Sequence, residues 1–352
     1  MEGNFNIKRL WIEKDQNHKR AWQDLLYRSG INLEENVEYT VGLYDGDRLI
    51  GTGSIAGNVL KCIAIDREYT GGRAINLLTS HLMDVVFERG NDGCYIYTKP
   101  SASKSFEYLG FKEIARVPNE LVFMEKAVFG FSKFLEDLKK KRIEGSSIAG
   151  IVMNANPFTK GHLHLVETAA EENDVVHLFV LSEDASIFPA EDRYNLVKKG
   201  VSHIENVYVH RTGNYMVSMA TFPSYFLKET ADVTKIHATL DAIIFKKYIA
   251  PTLSITRRYV GEEPYSISTN IYNQSMAEVF EGNPQLVVIP RKKAGDSVIS
   301  ASRVRKLLAE GNLEEIKSLV PDTTYEYLLS PKGEMIRNKL TKRSEFYGKI
   351  GD

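Results

Sequence analysis

The residues with the clearest capacity for chemistry are Thr159, Gly161 and His162, in the stretch SIAGIVMNANPFTKGHLHLVETAA that runs from Ser147 to Ala170. Ile148 to Met153 is a short apolar run between small and polar residues, which predicts a buried strand. Pro157 and Gly161 punctuate a turn, and from there Leu163, Val166 and Ala170 recur at helical spacing. Strand, turn and helix place Thr159, Gly161 and His162 at a helix N-terminus. Unpaired N–H groups and the positive end of the helix dipole favour an anion there. Gly161 lets a ligand approach the backbone, and His162 can give a proton or a hydrogen bond to a phosphate oxygen. This chemistry is phosphate binding with electrostatic help, the first half of an ATP site.

A second anion site is spelled by Ile299 to Arg305, which opens another helix. Ser300 stands at the N-cap, Ser302 two residues on, and Arg305 one turn further; an ordinary capped helix has the same pattern. Gly261 and Glu262, with Glu263, follow a strand and offer carboxylates able to orient a ribose or Mg²⁺. Ser182-Glu183-Asp184 follows another strand, either to reach a ligand or to cap a loop. In the first half of the chain Gly71, Gly72, Arg73 and Ala74 open a helix beside Arg67. Backbone amides flanked by arginines suit a diphosphate, although a plain glycine turn reads the same way.

Other chemistries find no support. His162 and His164 are two residues apart, so a helix turns them to different sides and they make no zinc pair. The remaining histidines show no partner pattern, and Cys62 and Cys94 are too few for a metal cluster or a disulfide framework. No metal site, Ser–His–Asp elbow or Walker lysine loop is spelled. Gly51 to Ala56 fits a loose dinucleotide fingerprint but lies in an alternating strand and opens no helix. A formal charge of −1 gives no electrostatic case for nucleic acid or an anionic membrane. Without an apolar run of spanning length or a signal core, the expected location is cytoplasmic.

The elements that must hold these residues come next. At 352 residues, with 43% apolar and 26% charged content, the chain suggests two globular domains. Residues 1–128 form the first, 129–147 a connecting helix and polar joint, and 148–352 the second. In the first, a helix over Trp22–Tyr27 precedes strands over Tyr39–Tyr44 and Leu49–Ile55 that flank the hairpin signal Asp45-Gly46. A strand over Val59–Ile65, a helix from Ala74, a strand over Tyr95–Thr98, a helix over Ala102–Leu109 and a strand near Leu121–Met124 follow. Phe129 to Arg142 predicts an amphipathic helix. In the second domain, strands over 148–153, 175–181, 207–210, 256–260 and 286–289 alternate with helices, among them Arg193–Lys199, Leu240–Tyr248 and Ser302–Glu310. That alternation implies a doubly wound parallel sheet with its ligands beyond the strands' C-terminal ends. The fold class is therefore α/β, an α+β domain followed by a Rossmann-like one, and each is expected to fold alone.

Three resemblances attach to these motifs. The strands, glycine loop, helix and S-F-E-Y-L-G-F-K-E (Ser105 to Glu113) resemble the GNAT acyltransferase fold, whose loop amides hold a coenzyme A pyrophosphate; the basic or amide residue that leads that loop is replaced here by Tyr69. Thr159-x-Gly161-His162 followed by Ile299-Ser300-x-Ser302-x-x-Arg305 resembles the nucleotidyltransferase superfamily. That resemblance implies that Thr159 and His162 bind phosphates and stabilise an in-line transition state at the α-phosphorus. It gives Ser300, Ser302 and Arg305 the β- and γ-phosphates. The order of both modules, with N-A-N-P-F-T-K-G-H, S-E-D-A-S-I-F-P-A-E-D-R, F-P-S-Y-F-L-K and R-Y-V-G-E-E-P, is similar to the citrate (pro-3S)-lyase ligase family. Membership implies that Mg·ATP and acetate form acetyl-adenylate, and that the acetyl group passes to a thiol on the citrate lyase acyl carrier subunit. It adds Asn154, Pro157 and Phe158 to the ATP-binding set. The rivals are an adenylyltransferase making a dinucleotide or dephospho-CoA, and a nucleotide-sensing binding protein.

Overall fold

The computed structural model describes residues 5–348 except 35, 70–71, 185, 217–221, 223–224, 226–229, 263–266 and 296, with backbone alone at 230–232, 267–270 and 343–348. Gly71 and Glu263 thus lie outside the described residues. The chain divides into two compact units, residues 1–136 with 223–240, and residues 137–222 with 241–352. Neither unit is one uninterrupted stretch. Among the described residues no helix is long and apolar enough to cross a membrane.

The first unit contains β1 (Phe5–Arg9), α1 (Gln16–Arg28), β2 (Tyr39–Asp45), β3 (Arg48–Ala56), β4 (Val59–Ile65), α2 (Gly72–Glu88), β5 (Gly93–Thr98), α3 (Ser103–Tyr108), β6 (Lys112–Val117) and β7 (Leu121–Ala127). Helix α4 (Phe131–Lys139), shorter at both ends than Phe129–Arg142, leads into the second unit. The sheet runs β1-β2-β3-β4-β5-β7-β6. Gly46 takes φ +58° in the β2–β3 turn, as a two-residue hairpin requires. Gly51 and Gly53 lie within β3, where a Cβ would meet Ile65 at 2.7 Å and Leu82 at 2.6 Å; close packing, not a nucleotide, accounts for them. β1 and β6, FNIKR and KEIARV, carry too few apolar residues to announce themselves.

One irregularity changes which way the side chains of β4 face. The β3–β4 register shifts between Ser54–Lys61 and Thr52–Ala64, and Cys62 takes φ +51°. The extra residue is a bulge that reverses which side chains face which way. Leu60 packs before it, and Ile63 and Ile65 after it, against the core shared with α2. Cys62 and Ala64 turn to the other face with Trp22 and Leu26 of α1, and with Tyr225. β4 and β5 pair in parallel only at Val59–Tyr95 and Leu60–Ile96.

The second unit contains β8 (Ile148–Met153), α5 (Lys160–Glu172), β9 (Val175–Val180), α6 (Ala190–Gly200) and β10 (Val207–Arg211). Helix α7 (Thr230–Ile244), whose residues 230–240 belong to the first unit, starts ten residues before the expected Leu240, passes through a π-helical stretch, Phe245–Ile249, and ends in α8 (Ala250–Leu253). β11 (Arg257–Gly261), α9 (Ile267–Phe280), β12 (Gln285–Ile289), the hairpin β13 (Lys293–Ala294) and β14 (Ser297–Val298), and α10 (Ala301–Ala309) follow. Helices α11 (Leu313–Leu319), α12 (Asp322–Leu329) and α13 (Pro331–Gly348) share a core with α10 through Val304, Leu308, Ile316, Leu328 and Ile336. The sheet order is β10-β9-β8-β11-β12, all parallel. The chain leaves β8 towards β10, then returns past it to β11, so the switch point lies between β8 and β11. Those two strands pair only at Ala149–Arg257 and Gly150–Arg258 and are unpaired beyond.

Candidate active site

The turn after β8 is held in an uncommon backbone conformation, since Ala155 takes φ +51°. Such a non-glycine residue persists where its surroundings fix it. Here Arg193, fully buried, donates from Nη1 to the Asn154 carbonyl (2.9 Å), the Asn154 side chain (2.8 Å) and the Leu181 carbonyl (2.8 Å), and from Nε to the Phe188 carbonyl (3.0 Å). Its Nη2 donates to the Glu183 carbonyl. One guanidinium thereby clamps the loops after β8 and β9.

Thr159 is the N-cap of α5, and its hydroxyl accepts the His162 N–H at 3.3 Å. In return the Thr159 N–H donates to His162 Nδ1 at 3.1 Å. A backbone N–H can only donate, so Nδ1 is the bare nitrogen and the neutral ring carries its proton on Nε2. Burial, and then the charge of Arg291, push the His162 pKa down to about 4. At neutral pH His162 is an uncharged donor with a fixed tautomer. Its ring stacks on Phe158 at 5.9 Å.

The second motif meets the first. Ser300 caps α10, accepting the Arg303 N–H at 3.1 Å. A Cβ on Gly161 would stand 3.2 Å from the Ile299 carbonyl oxygen, so glycine there lets the two helix starts approach. Arg305 ties them further, donating from Nη1 to the Asn156 carbonyl (2.6 Å) and from Nη2 to Ser302 Oγ (3.0 Å).

A cleft of about 620 Å³ opens at the C-terminal ends of β8, β11 and β12. Thr159, Gly161 and His162 line it from α5, Ser300 and Ser302 from α10, and Asn154 and Gly261 from strand ends. Nothing lies within 4 Å of a Cβ built on Gly261, so that glycine keeps space open. The other sequence-derived candidates stand elsewhere. Pro157 and Phe158 are buried, the Phe158 ring filling space against Gly200. Arg305 and Glu262 are not among the described residues lining the cleft. Glu262 contributes its backbone carbonyl, which accepts from Arg291 Nε at 2.7 Å. In the first unit Gly72 and Arg73 are exposed at the start of α2, with the Arg73 guanidinium 5.3 Å from the Phe5 ring centre, while Ala74 is core.

Three residues at the cleft and its loops escaped the sequence reading. Arg291 and Lys292 line the cleft just past β12, where the rule about strand ends would have found them. Arg193 closes the S-E-D-A-S-I-F-P-A-E-D-R stretch, but nothing in its type announces a buried clamp. Among the described residues no group of three His, Cys, Asp or Glu could hold a metal.

Comparison with known proteins gives a family for the chain. The family described as Citrate lyase ligase C-terminal domain matches residues 148–328. The citrate (pro-3S)-lyase ligase of Escherichia coli (strain K12) is 39% identical over 324 residues, 90% of this chain and 92% of that protein. The Klebsiella pneumoniae protein of the same name is 39% identical over 329 residues, covering 92% and 96%. Among solved structures, FeeM, an N-acyl amino acid synthase from uncultured soil microbes, aligns with 36% of this chain and 92% of its own at 16% identity and a TM-score of 0.31. That likeness is too slight to speak to activity.

Proposed function

This chain belongs to the citrate (pro-3S)-lyase ligase family, and we propose that it activates acetate with ATP and passes the acetyl group to a thiol of citrate lyase's acyl carrier subunit. The observation that carries this is the convergence of two capped helix N-termini, α5 and α10, on one cleft at the sheet's switch point. Two such ends with Arg291 and Lys292 suit a triphosphate.

In the first step an acetate oxygen attacks the α-phosphorus, and the bond from that phosphorus to the β-phosphate bridging oxygen breaks. Acetyl-adenylate and diphosphate result. The protein's part is placement and charge stabilisation. His162 Nε2–H donates to a phosphate oxygen without changing protonation, because Thr159 keeps Nδ1 occupied. Ser300, Ser302 and the α10 amides receive the departing diphosphate, and Arg305 holds both motif loops in register. Mg²⁺ supplies charge neutralisation on the phosphates when bound. In the second step the carrier thiol attacks the acetyl carbonyl, AMP leaves, and the thiol proton passes to solvent. For the carrier's diphosphate-containing arm we propose the exposed start of α2, at Gly72 and Arg73.

The test is exchange of labelled diphosphate into ATP. Acetate-dependent exchange is expected. Exchange dependent instead on nicotinamide mononucleotide or phosphopantetheine would make the chain a dinucleotide- or coenzyme-forming adenylyltransferase, and nucleotide binding without exchange would make it a sensor.

A further inference from the structure

The cleft has two differently built sides. Ala149, Ile151 and Met153 of β8 share a core with Val166 and Ala169 of α5, so α5 and His162 belong to that face of the sheet. Gly150 and Val152 point the opposite way, as strand alternation requires. A Cβ on Gly150 would meet the Phe245 ring at 2.7 Å, and Arg258, paired with Gly150, places its guanidinium 4.4 Å from the centre of the same ring. Val152 and Val260 lie two residues beyond this pair on the same face, where β8 and β11 have stopped pairing, and both line the cleft. Tyr272 and Asn273 of α9 line it as well.

Tyr272 is held by a buried polar chain. Its hydroxyl donates to Asp241 Oδ2 at 2.7 Å, and Asp241 stands 4.0 Å from Arg258 Nη2. Asp241 and Arg258 are both buried, and a hydrogen bond to a carboxylate is a strong tether. With its O–H committed to Asp241, Tyr272 presents its ring to the cleft. Two β-branched side chains with few rotamers complete the apolar wall, and the Asn273 amide supplies a polar group beside it.

Building on the acetate-activating function above, we propose that the recess between Val152, Val260 and Tyr272 receives the alkyl end of the carboxylic acid substrate, and that Tyr272 sets the chain length accepted. A short monocarboxylate fits such walls: its carboxylate faces the polar helix ends, and its methyl group meets two valines and an aromatic ring. Neither stiff valines nor a tethered ring yields readily to a longer chain.

The test compares acetate, propionate and butyrate in acid-dependent ATP–diphosphate exchange. Tyr272→Leu should raise the butyrate-to-acetate ratio of kcat/KM by roughly 10-fold or more, since each methylene admitted or excluded is worth about that much. The change should appear in the KM for the acid and leave the KM for ATP within about twofold of wild type. Val260→Ala enlarges the same recess from the other side and should shift the ratio the same way, so a folding defect in one variant does not remove the test. Unshifted ratios in both variants, or a rise confined to the KM for ATP, would assign this wall to the adenosine and overturn the proposal. Wild-type protein with no acid-dependent exchange at all would overturn the acetate-activating function, and this inference with it.

Discussion

In each unit one pair of parallel strands separates. In the first, β4 and β5 stay together through Val59–Tyr95 and Leu60–Ile96; in the second, β8 and β11 stay together through Ala149–Arg257 and Gly150–Arg258. Beyond the first pair the space is filled with side chains. Tyr225, from the segment that the first unit takes out of the second half of the chain, is 5% exposed and packs with Cys62 and Ala64. Its hydroxyl accepts the Cys62 N–H, and its backbone carbonyl accepts the Asn32 N–H. Tyr95 and Tyr97 on β5 are covered too. Beyond the second pair, Gly261 leaves room and helix ends supply donors. Parting strands give a crevice, and the residues beyond the last pair decide whether it becomes core or site.

The largest test of that contrast removes one side chain from each crevice. His162→Ala should lower acetate-dependent exchange by about 10²- to 10³-fold, the usual loss for one preorganised donor at a reacting centre, and cost about 1 kcal/mol of stability through the helix cap its ring completes. Tyr225→Ala should do the reverse, lowering stability by about 3–5 kcal/mol as buried aromatic truncations do, with exchange per folded molecule unchanged. Chemical denaturation and exchange kinetics on both variants decide it. Near-native exchange in folded His162→Ala protein would remove the site from α5.

The next test fills the open crevice. Gly261→Val adds a side chain where 4 Å of space is clear, so the fold should tolerate it, while the KM for ATP or acid rises by roughly 10-fold or more, about 1.4 kcal/mol or more of lost binding. An unchanged KM for both would mean that ligands do not reach the end of β11.

The open crevice was the more legible of the two in the sequence. Its strand, turn and helix lie within 24 contiguous residues, Ser147 to Ala170, and capping and periodicity are local properties. The parallel sheet followed from the alternation for the same reason. What escaped were long-range pairings. Arg193 acts on carbonyls from residue 154 to residue 188, and no spacing rule connects them. Phe158 looks like a loop aromatic beside a phosphate motif, yet its fit against Gly200 is set by a helix some forty residues away. Tyr225 is the extreme case, because it follows β10 in the sequence yet belongs to the first unit and packs in that unit's core.

A smaller effect concerns acid stability. His177 and His210 are buried in contact, Nδ1 to Nε2 at 2.9 Å, and burial holds them to about 4 and about 3. Both folded values lie below the unfolded value near 6.5. Their contribution is thus complete above about pH 6.5 and is lost as pH falls towards 4, at up to about 1.4 kcal/mol per pH unit for each histidine. Urea midpoints should fall between pH 7 and pH 5, and fall less in a His177→Phe, His210→Leu double variant. Equal slopes in the two proteins would mean that other groups carry the acid sensitivity.

The smallest expected effect is a null, and it separates two roles for His162. If the ring worked as imidazolium, exchange would decline as pH rose through its pKa. In the geometry found here Thr159 donates to Nδ1 and burial holds the pKa near 4, so the species proposed to work is the neutral ring with Nε2–H. That species is the dominant one from pH 5.5 upwards, so kcat for exchange at saturating ATP and acetate should vary by less than about twofold from His162 between pH 5.5 and 8.5. Thr159→Val sharpens the point. It keeps the backbone N–H that fixes the tautomer but removes the hydroxyl that caps His162 N–H, so it should cost about 1 kcal/mol of stability and leave the profile flat. A descending limb near pH 6.5 that disappears in His162→Gln protein would show that the charged ring does the work, and that the helix end alone does not hold it neutral.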